Sequence, residues 1–236
     1  MDICEKIDAF ENHIFIRQLR IAQVLGERFC ENNPIDPLAE SAFAIVSICF
    51  SYFEMIEQFC RGQSSDGQSW DFFKRGFERV FPSFVIASAD VKQLYKTMRC
   101  GMYHTAMPTD RYRLSRELSA SFKKVNGLIE INPVRLTDEI IYHFNRYCHD
   151  LRSGNDSALQ QSFEMMFDSL TAGAKSVTDV ESGGTPAPGN KDRDYREVLT
   201  SGSTRLMCGE SFLGQFLRLT FRRSWYWIPS ASSCDS

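Results

Sequence analysis

Apolar residues recur at helical spacing through the first quarter of the chain. From Ile3 to Cys30 they fall three, four or seven positions apart, which predicts one amphipathic helix. A second helix is expected to start at Asp36-Pro37, with the aspartate as N-cap and the proline at the first helical position. It extends to Arg61, where Gly62 is a C-terminal stop. Because its first half is apolar on nearly all sides, we expect this helix to be the most buried.

The remaining pattern predicts further helices and one small hairpin. The step Asn126-Gly127 is a strong signal for a two-residue turn, and we expect the second strand of the hairpin from Gly127 to Asn132. The further helices are Trp70 to Phe77, a long helix that starts at Ser88 and stops before Pro108, Asp138 to Arg152 with Thr137 as its cap and Gly154 as its end, and Ser157 to Leu170. The predicted fold class is mainly α, an up-and-down bundle of four to five helices with a small inserted β-hairpin.

The composition changes after the last of these helices. We assign residues 1–171 to the bundle, residues 172–204 to a flexible linker rich in Gly and Pro, and residues 205–236 to a basic and aromatic tail with one candidate helix. Two interpretations of the tail stay open. It contacts a membrane surface or a nucleic acid, or it docks on its own domain or on a partner.

Composition places the chain among ordinary globular proteins. It has 236 residues, 43% of them hydrophobic, a net charge of −3, and 19 Phe residues that predict a core rich in aromatic packing. No secretory signal is visible, and the most apolar window, Ala42 to Phe53, is too short to span a bilayer. We therefore expect a cytoplasmic protein without a transmembrane segment.

The sequence offers few sites for chemistry. Its 8 Cys residues include no Cys-x-x-Cys pair, so we expect reduced thiols rather than disulfides, and we predict neither a metal site nor a cofactor. Phosphate-loop, dinucleotide and nucleophile-elbow motifs are also missing. The remaining candidates are Arg99 and His104 at the end of the helix that starts at Ser88. Arginine is a charged fork that fits a phosphate, and histidine exchanges a proton near neutral pH.

The segment Leu94-Tyr-Lys-Thr-Met-Arg-Cys-Gly-Met-Tyr-His-Thr105 resembles the motif helix of the HEPN superfamily, which carries Arg-x4-His. The resemblance covers about residues 1–170 and includes the later Ile129-Glu-Ile-Asn-Pro-Val-Arg-Leu136. It implies a metal-independent endoribonuclease in which Arg99 holds the scissile phosphate and His104 moves the proton. The products would be a 2′,3′-cyclic phosphate and a 5′-hydroxyl.

The resemblance also implies partners. The family's motif helices meet in a homodimer, and Gly101 suits the close approach of a second helix, although it could equally loosen the helix end. A defence or toxin–antitoxin setting, with a protein inhibitor, is the expected context. The family's active nucleases commonly carry a polar residue where this chain has Cys100. The alternative is therefore a non-catalytic module of the same fold that binds RNA, a nucleotide or a protein partner.

Supporting residues are weaker candidates, and each has a structural alternative. Glu54 could orient Arg99, or form a buried ion pair without a catalytic role. Tyr103 could stack on a base, or pack against the bundle. A basic cluster beside the motif could guide an RNA backbone, or form a solvated charged surface. Its members are Arg111, Arg113, Arg116, Lys123 and Lys124.

Overall fold

The computed structural model describes residues 1–31, 33, 35–82, 87–101 and 112–181, with side chains as far as residue 172. The α-helices of this part of the chain are α1 (Ile3–Glu11), α2 (Arg20–Glu31), α3 (Ala42–Arg61), α4 (Ser69–Val80), α5 (Ser88–Leu94), α6 (Pro133–Ser153) and α7 (Ser157–Glu181). A 3₁₀ turn, Pro37–Glu40, precedes α3. The strands are β1 (Tyr112–Leu114), β2 (Phe122–Val125) and β3 (Leu128–Ile131). The predicted fold class is confirmed: the protein is a helical bundle with a small inserted sheet.

The chain divides into two compact units, Met1–Phe167 and Asp168–Ser236. The first unit contains the bundle and the sheet. Of the second unit, the described residues are the C-terminal part of α7, which extends to Glu181, beyond the predicted helix end at Leu170. The predicted tail and most of the predicted linker lie outside the described residues.

Helix α3 is the centre of the bundle, as its apolar composition predicts. It packs against α2, α4 and α6. Phenylalanine rings surround it in two groups. On the α4 side they are Phe50, Phe53, Phe73, Phe77, Phe81 and Phe122, and on the α1 side they are Phe10, Phe59, Phe144 and Phe163. Neighbouring rings within each group lie mostly in tilted or edge-on pairs, which accounts for the abundance of Phe.

A π-helical segment, Asn12–Leu19, joins α1 to α2 and changes the buried face of the first helix. Its hydrogen bonds join residues five apart, as from the Arg20 N–H to the Phe15 carbonyl. The extra residue per turn rotates the face that follows. The spacing of seven from Ile14 to Ile21 predicts that both residues lie on the buried face, but 49% of the Ile21 surface is exposed and Ala22 is buried instead.

The hairpin prediction is confirmed, and the sheet has one more strand than predicted. Strands β2 and β3 pair antiparallel around Asn126 (φ 51°) and Gly127 (φ 78°), the positive angles that an Asn-Gly hairpin turn requires. Strand β1 pairs parallel with β3, which gives the order β1-β3-β2. With only three residues, β1 is too short to show an alternating pattern.

Helix α6 starts earlier than predicted, and its cap is Asn132 rather than Thr137. The Asn132 Oδ1 accepts hydrogen bonds from the backbone N–H groups of Val134 at 2.9 Å and Arg135 at 3.2 Å. Pro133 takes the first helical position, where its missing N–H costs nothing. Thr137 lies buried inside the helix and donates its hydroxyl to the Pro133 carbonyl at 2.8 Å. The helix ends at Gly154 (φ 68°), as predicted.

The expectation that the most apolar segment is too short to span a bilayer needs a correction. Helix α3 has 20 residues and is, by length and composition alone, apolar enough to cross a membrane. Two thirds of its most apolar window is buried inside the bundle, and a core helix passes the same test. It also carries the buried polar residues Glu54, Glu57 and Gln58. Location in the cytoplasm stays a prediction.

Gly76 permits the closest approach in the core. A Cβ at this position would lie 1.8 Å from the Phe53 carbonyl oxygen, so Gly76→Ala must push α4 away from α3. We expect the variant to lose at least about 2 kcal/mol of unfolding free energy in urea titrations. Gly26→Ala is the matched control, since its Cβ would lie 3.4 Å from the Val134 Cγ2. It should stay within about 1 kcal/mol of the parent or exceed it, because alanine favours helix. Equal losses in the two variants would contradict this packing.

Candidate functional site

Arg99 is held by a buried carboxylate on the central helix. It lies in a second π-helical segment, Tyr95–Gly101, which follows α5 directly. Its Nη2 donates to the Glu54 Oε2 at 2.7 Å. The Glu54 side chain is 1% exposed, whereas 14% of the Arg99 side chain reaches solvent. The contact expected between these two residues is therefore present, and it fixes the guanidinium at the edge of the core.

The second oxygen of Glu54 is also satisfied. The hydroxyl of Ser65 donates to Glu54 Oε1 at 2.6 Å. Ser65 reaches this position because the chain turns back after α3: Gly62 adopts a left-handed conformation (φ 67°), and the Gln63 N–H binds the Gln58 carbonyl. A carboxylate with both oxygens hydrogen-bonded is rigid, so its partner arginine is positioned as well.

An aromatic surface supports the other side of Arg99. The guanidinium carbon lies 5.8 Å from the centroid of the Tyr95 ring, a cation–π distance. Tyr95 in turn packs on Phe73 (5.1 Å) and on Trp70 (5.4 Å), both from α4. Arg99 is thus clamped between a carboxylate from α3 and an aromatic ring from its own helix.

Cys100 faces the same ring. Burial raises the pKa of Tyr95, nearby Cys100 also raises it, in part through a hydrogen bond between the two side chains, and Arg99 opposes the shift; the resulting pKa is about 12. Cys100 is therefore oriented towards Tyr95.

Arg99 stays protonated and positively charged. Burial lowers its pKa, but the nearby carboxylate of Glu54 more than offsets this, so that the pKa lies above that of an ordinary arginine. The group remains a cation throughout the working range of pH. A fixed cation at a partly exposed position is suited to bind an anionic oxygen such as that of a phosphate.

Three of the predicted site residues, Tyr103, His104 and Arg111, lie outside the described residues.

Of the basic cluster, two of the four described members form ion pairs with carboxylates. The Lys124 ammonium binds both carboxylate oxygens of Asp90 at 2.7 and 2.8 Å, and Arg113 lies 3.6 Å from Glu130. Arg116 stacks on Phe29, whereas Lys123 is exposed. Among the described members of the cluster, Lys124 and Arg113 are thus paired with carboxylates.

Glu57, one turn after Glu54, belongs to a different pair. Its two oxygens accept from the Nε atoms of Arg61 (2.7 Å) and Arg79. The Glu57 side chain is 1% exposed, while those of Arg61 and Arg79 are partly exposed. This ion pair joins α3 to α4 and does not involve Arg99.

Sequence reasoning missed one further polar contact. The hydroxyl of Tyr52 lies 2.8 Å from the Nδ1 of His143, which joins α3 to α6 across 91 positions of sequence. Burial and, to a smaller extent, the charges of Arg79 and Arg146 lower the pKa of His143 to about 4. His143 is therefore neutral at pH 7. No spacing rule connects two residues this far apart in sequence.

Metal chemistry has no support in the described part of the chain, where no three His, Cys, Asp or Glu side chains are grouped so that they could hold an ion. Comparisons with family models, with curated protein sequences and with solved structures give no match for this chain. The resemblance to the HEPN superfamily therefore stays a prediction carried by the residues themselves.

Removal of Arg99 should expose the cost of a buried charge. Arg99→Ala leaves Glu54 in the core without its cation, and we expect a loss of about 3–5 kcal/mol in unfolding free energy. The double variant with Glu54→Gln should lose less than Arg99→Ala alone, since no buried charge is left unpaired. The control is Arg28→Ala, which breaks an exposed pair with Glu31 and should cost less than about 1 kcal/mol. Similar losses for Arg99→Ala and Arg28→Ala would contradict this account.

His143 should make the fold sensitive to mild acid. In the unfolded chain it takes a proton near pH 6.5, but in the folded chain only near pH 4. Between these values the unfolded state binds more protons, so the unfolding free energy falls as the pH falls, by up to about 1.4 kcal/mol per unit. Urea titrations at pH 7 and pH 5 should therefore show a smaller acid loss for His143→Asn than for the parent. His149→Asn, at an exposed position, should behave like the parent. An unchanged acid loss in His143→Asn would contradict the assignment.

Proposed function

We propose that this protein is a metal-independent endoribonuclease of HEPN type, with Arg99 and His104 as its catalytic pair. The observation that carries the proposal is the position of Arg99, fixed by Glu54 with 14% of its side chain exposed.

The chemistry needs only these two groups. His104 takes the proton from the 2′-hydroxyl of the RNA, and the resulting oxygen attacks the adjacent phosphorus. The bond from phosphorus to the 5′-oxygen breaks, and that oxygen takes up a proton, which His104 can return. Arg99 stabilises the negative charge that builds on the phosphate oxygens. The products are a 2′,3′-cyclic phosphate and a 5′-hydroxyl, and no metal takes part.

A homodimer formed through the segment around Arg99 is part of the proposal. Two copies meeting there would bring two Arg–His pairs to one cleft, which offers a longer positively charged path for RNA than one chain does. Gly101 closes the π-helical segment, and a glycine permits close approach of a partner helix. We place the dimer in a defence or toxin–antitoxin setting, in which a protein inhibitor would cover this cleft.

A second candidate function is favoured by Cys100. Its side chain interacts with Tyr95 and offers no strong hydrogen bond to a phosphate. In this alternative the pair of Arg99 and Glu54 positions a binding surface without catalysis, and the module binds RNA, a nucleotide or a protein.

A cleavage assay in EDTA on a mixed RNA pool separates the two functions. The parent and His149→Ala, an exposed histidine, should release fragments with cyclic phosphate and 5′-hydroxyl ends. His104→Ala should be slower by at least about 100-fold, the typical contribution of a general base. Arg99→Lys keeps the charge but loses the fork, so it should also be slow while its helical content is unchanged.

Each contrary result has a defined meaning. Cleavage by His104→Ala at the rate of the parent would refute the ribonuclease. Intact RNA with the parent, combined with tight RNA binding that Arg99→Lys weakens, would favour the binding module. New cleavage by Cys100→Asn in a parent that lacks it would trace the inactivity to Cys100.

A further inference from the structure

A cavity of about 400 Å³ opens between α2, the start of α3 and the segment that contains β1. This volume lies in the range of sites for small molecules or single nucleotides. Its walls combine aromatic rings, two cations and two carboxylates, among them Phe29, Phe43, Arg113, Arg116, Glu40 and Glu117. The site does not include Arg99, and nothing in the ribonuclease chemistry uses these residues.

Arg116 is the most informative wall residue. Its guanidinium stacks 4.6 Å above the ring of Phe29. Its Nη1 is buried and has no hydrogen-bond partner within the described part of the chain. A buried donor without an acceptor costs about 1–3 kcal/mol, so a ligand acceptor that draws the guanidinium round to the cavity would relieve this cost.

The loop that carries Arg116 is pre-organised. The side-chain amide of Asn132 donates to the carbonyls of Arg116 at 3.2 Å and Leu118 at 2.7 Å, while its oxygen caps α6. The Ser115 N–H binds the Ile131 carbonyl at 2.9 Å and ties the same loop to β3. The backbone at Arg116 is therefore held by α6 and β3, and the guanidinium rests on the ring of Phe29.

The charges around the cavity restrict the ligand. Glu40 and Glu117 line it alongside Arg113 and Arg116, so a simple anion meets two carboxylates and a simple cation meets two guanidinium groups. A ligand with acceptors on one edge and donors on another satisfies both. Phe43, 46% exposed, adds a flat apolar surface on which a ring can stack.

We propose that this cavity binds a guanine base. The guanine O6 and N7 are two adjacent acceptors that match an arginine fork, and its N1–H and N2–H₂ groups suit a carboxylate. Adenine offers a donor where guanine has O6, so it fits Arg116 less well. The inference rests on the proposed function for its biological meaning: the base would belong to the RNA, and cleavage would be enriched close to guanosine.

Equilibrium dialysis of the full chain with radiolabelled GMP or AMP tests the cavity without any cleavage step. We expect GMP to bind at least tenfold more tightly than AMP. Arg116→Lys, which keeps the charge but loses the fork, should reduce GMP affinity about tenfold and leave AMP nearly unchanged. Phe43→Ala, at a half-exposed position, should weaken both nucleotides. The matched control is Arg146→Lys, an exposed arginine that does not line the cavity, and it should bind as the parent does.

Equal affinity for GMP and AMP, or no saturable binding of GMP, would overturn the inference. Circular dichroism of Arg116→Lys and Phe43→Ala separates lost binding from lost folding. The outcome is independent of catalysis. If the protein binds GMP but leaves RNA intact, the guanine site is supported and the ribonuclease is refuted. If it cleaves RNA without preference for guanosine and does not bind GMP, the ribonuclease is supported and the guanine site is refuted.

Discussion

The burial of Glu54 on the central helix is the constraint on which the candidate site depends. A carboxylate inside an aromatic core is tolerated only if its charge is paired and both oxygens are hydrogen-bonded. Arg99 and Ser65 meet these two demands. The π-helical segment and the turn after α3 are therefore tied to the core at one point, and the same ion pair that stabilises the fold also positions the proposed phosphate ligand.

Helix α3 is tied to several neighbouring elements in this way, because it carries two buried carboxylates one turn apart. Glu54 takes its cation from the segment after α5, and Glu57 takes its cations from its own helix and from α4. Each carboxylate thus selects one neighbouring element, and Gly76 lets α4 approach the backbone of α3 at Phe53. The charged residues on this otherwise apolar helix specify which neighbouring elements pack against it. Buried polar groups fix the register of helices in other proteins in the same way.

Local signals in the sequence predicted most of the elements. Gly62 and Gly154 end helices as expected, and Asn126-Gly127 forms the hairpin turn. The start of α6 was predictable too, since Asn132-Pro133 follows the same rule as Asp36-Pro37, with an Asx cap before a proline. The π-helical segments were not predictable, because hydrogen bonds between residues five apart give no recognisable signal in the spacing of apolar residues. They nevertheless shift the buried face of the helix that follows. The pairing of Glu54 with Arg99 followed from the rule that buried charges need partners, whereas the contact of Tyr52 with His143 had no local signal at all.

Arg99 has a structural role in the ion pair with Glu54 and a proposed role in phosphate binding. This combination limits which substitutions the site can accept. Lysine would keep the charge near Glu54 but lose the planar fork, so it would separate the fold from phosphate binding. Glutamine at position 54 would remove the buried charge but release the arginine from its fixed geometry, which a preorganised transition-state contact requires. Stability and the proposed chemistry therefore depend on the same ion pair through different properties of it. The fold needs a neutralised carboxylate, whereas the proposed catalysis needs a guanidinium held in one orientation.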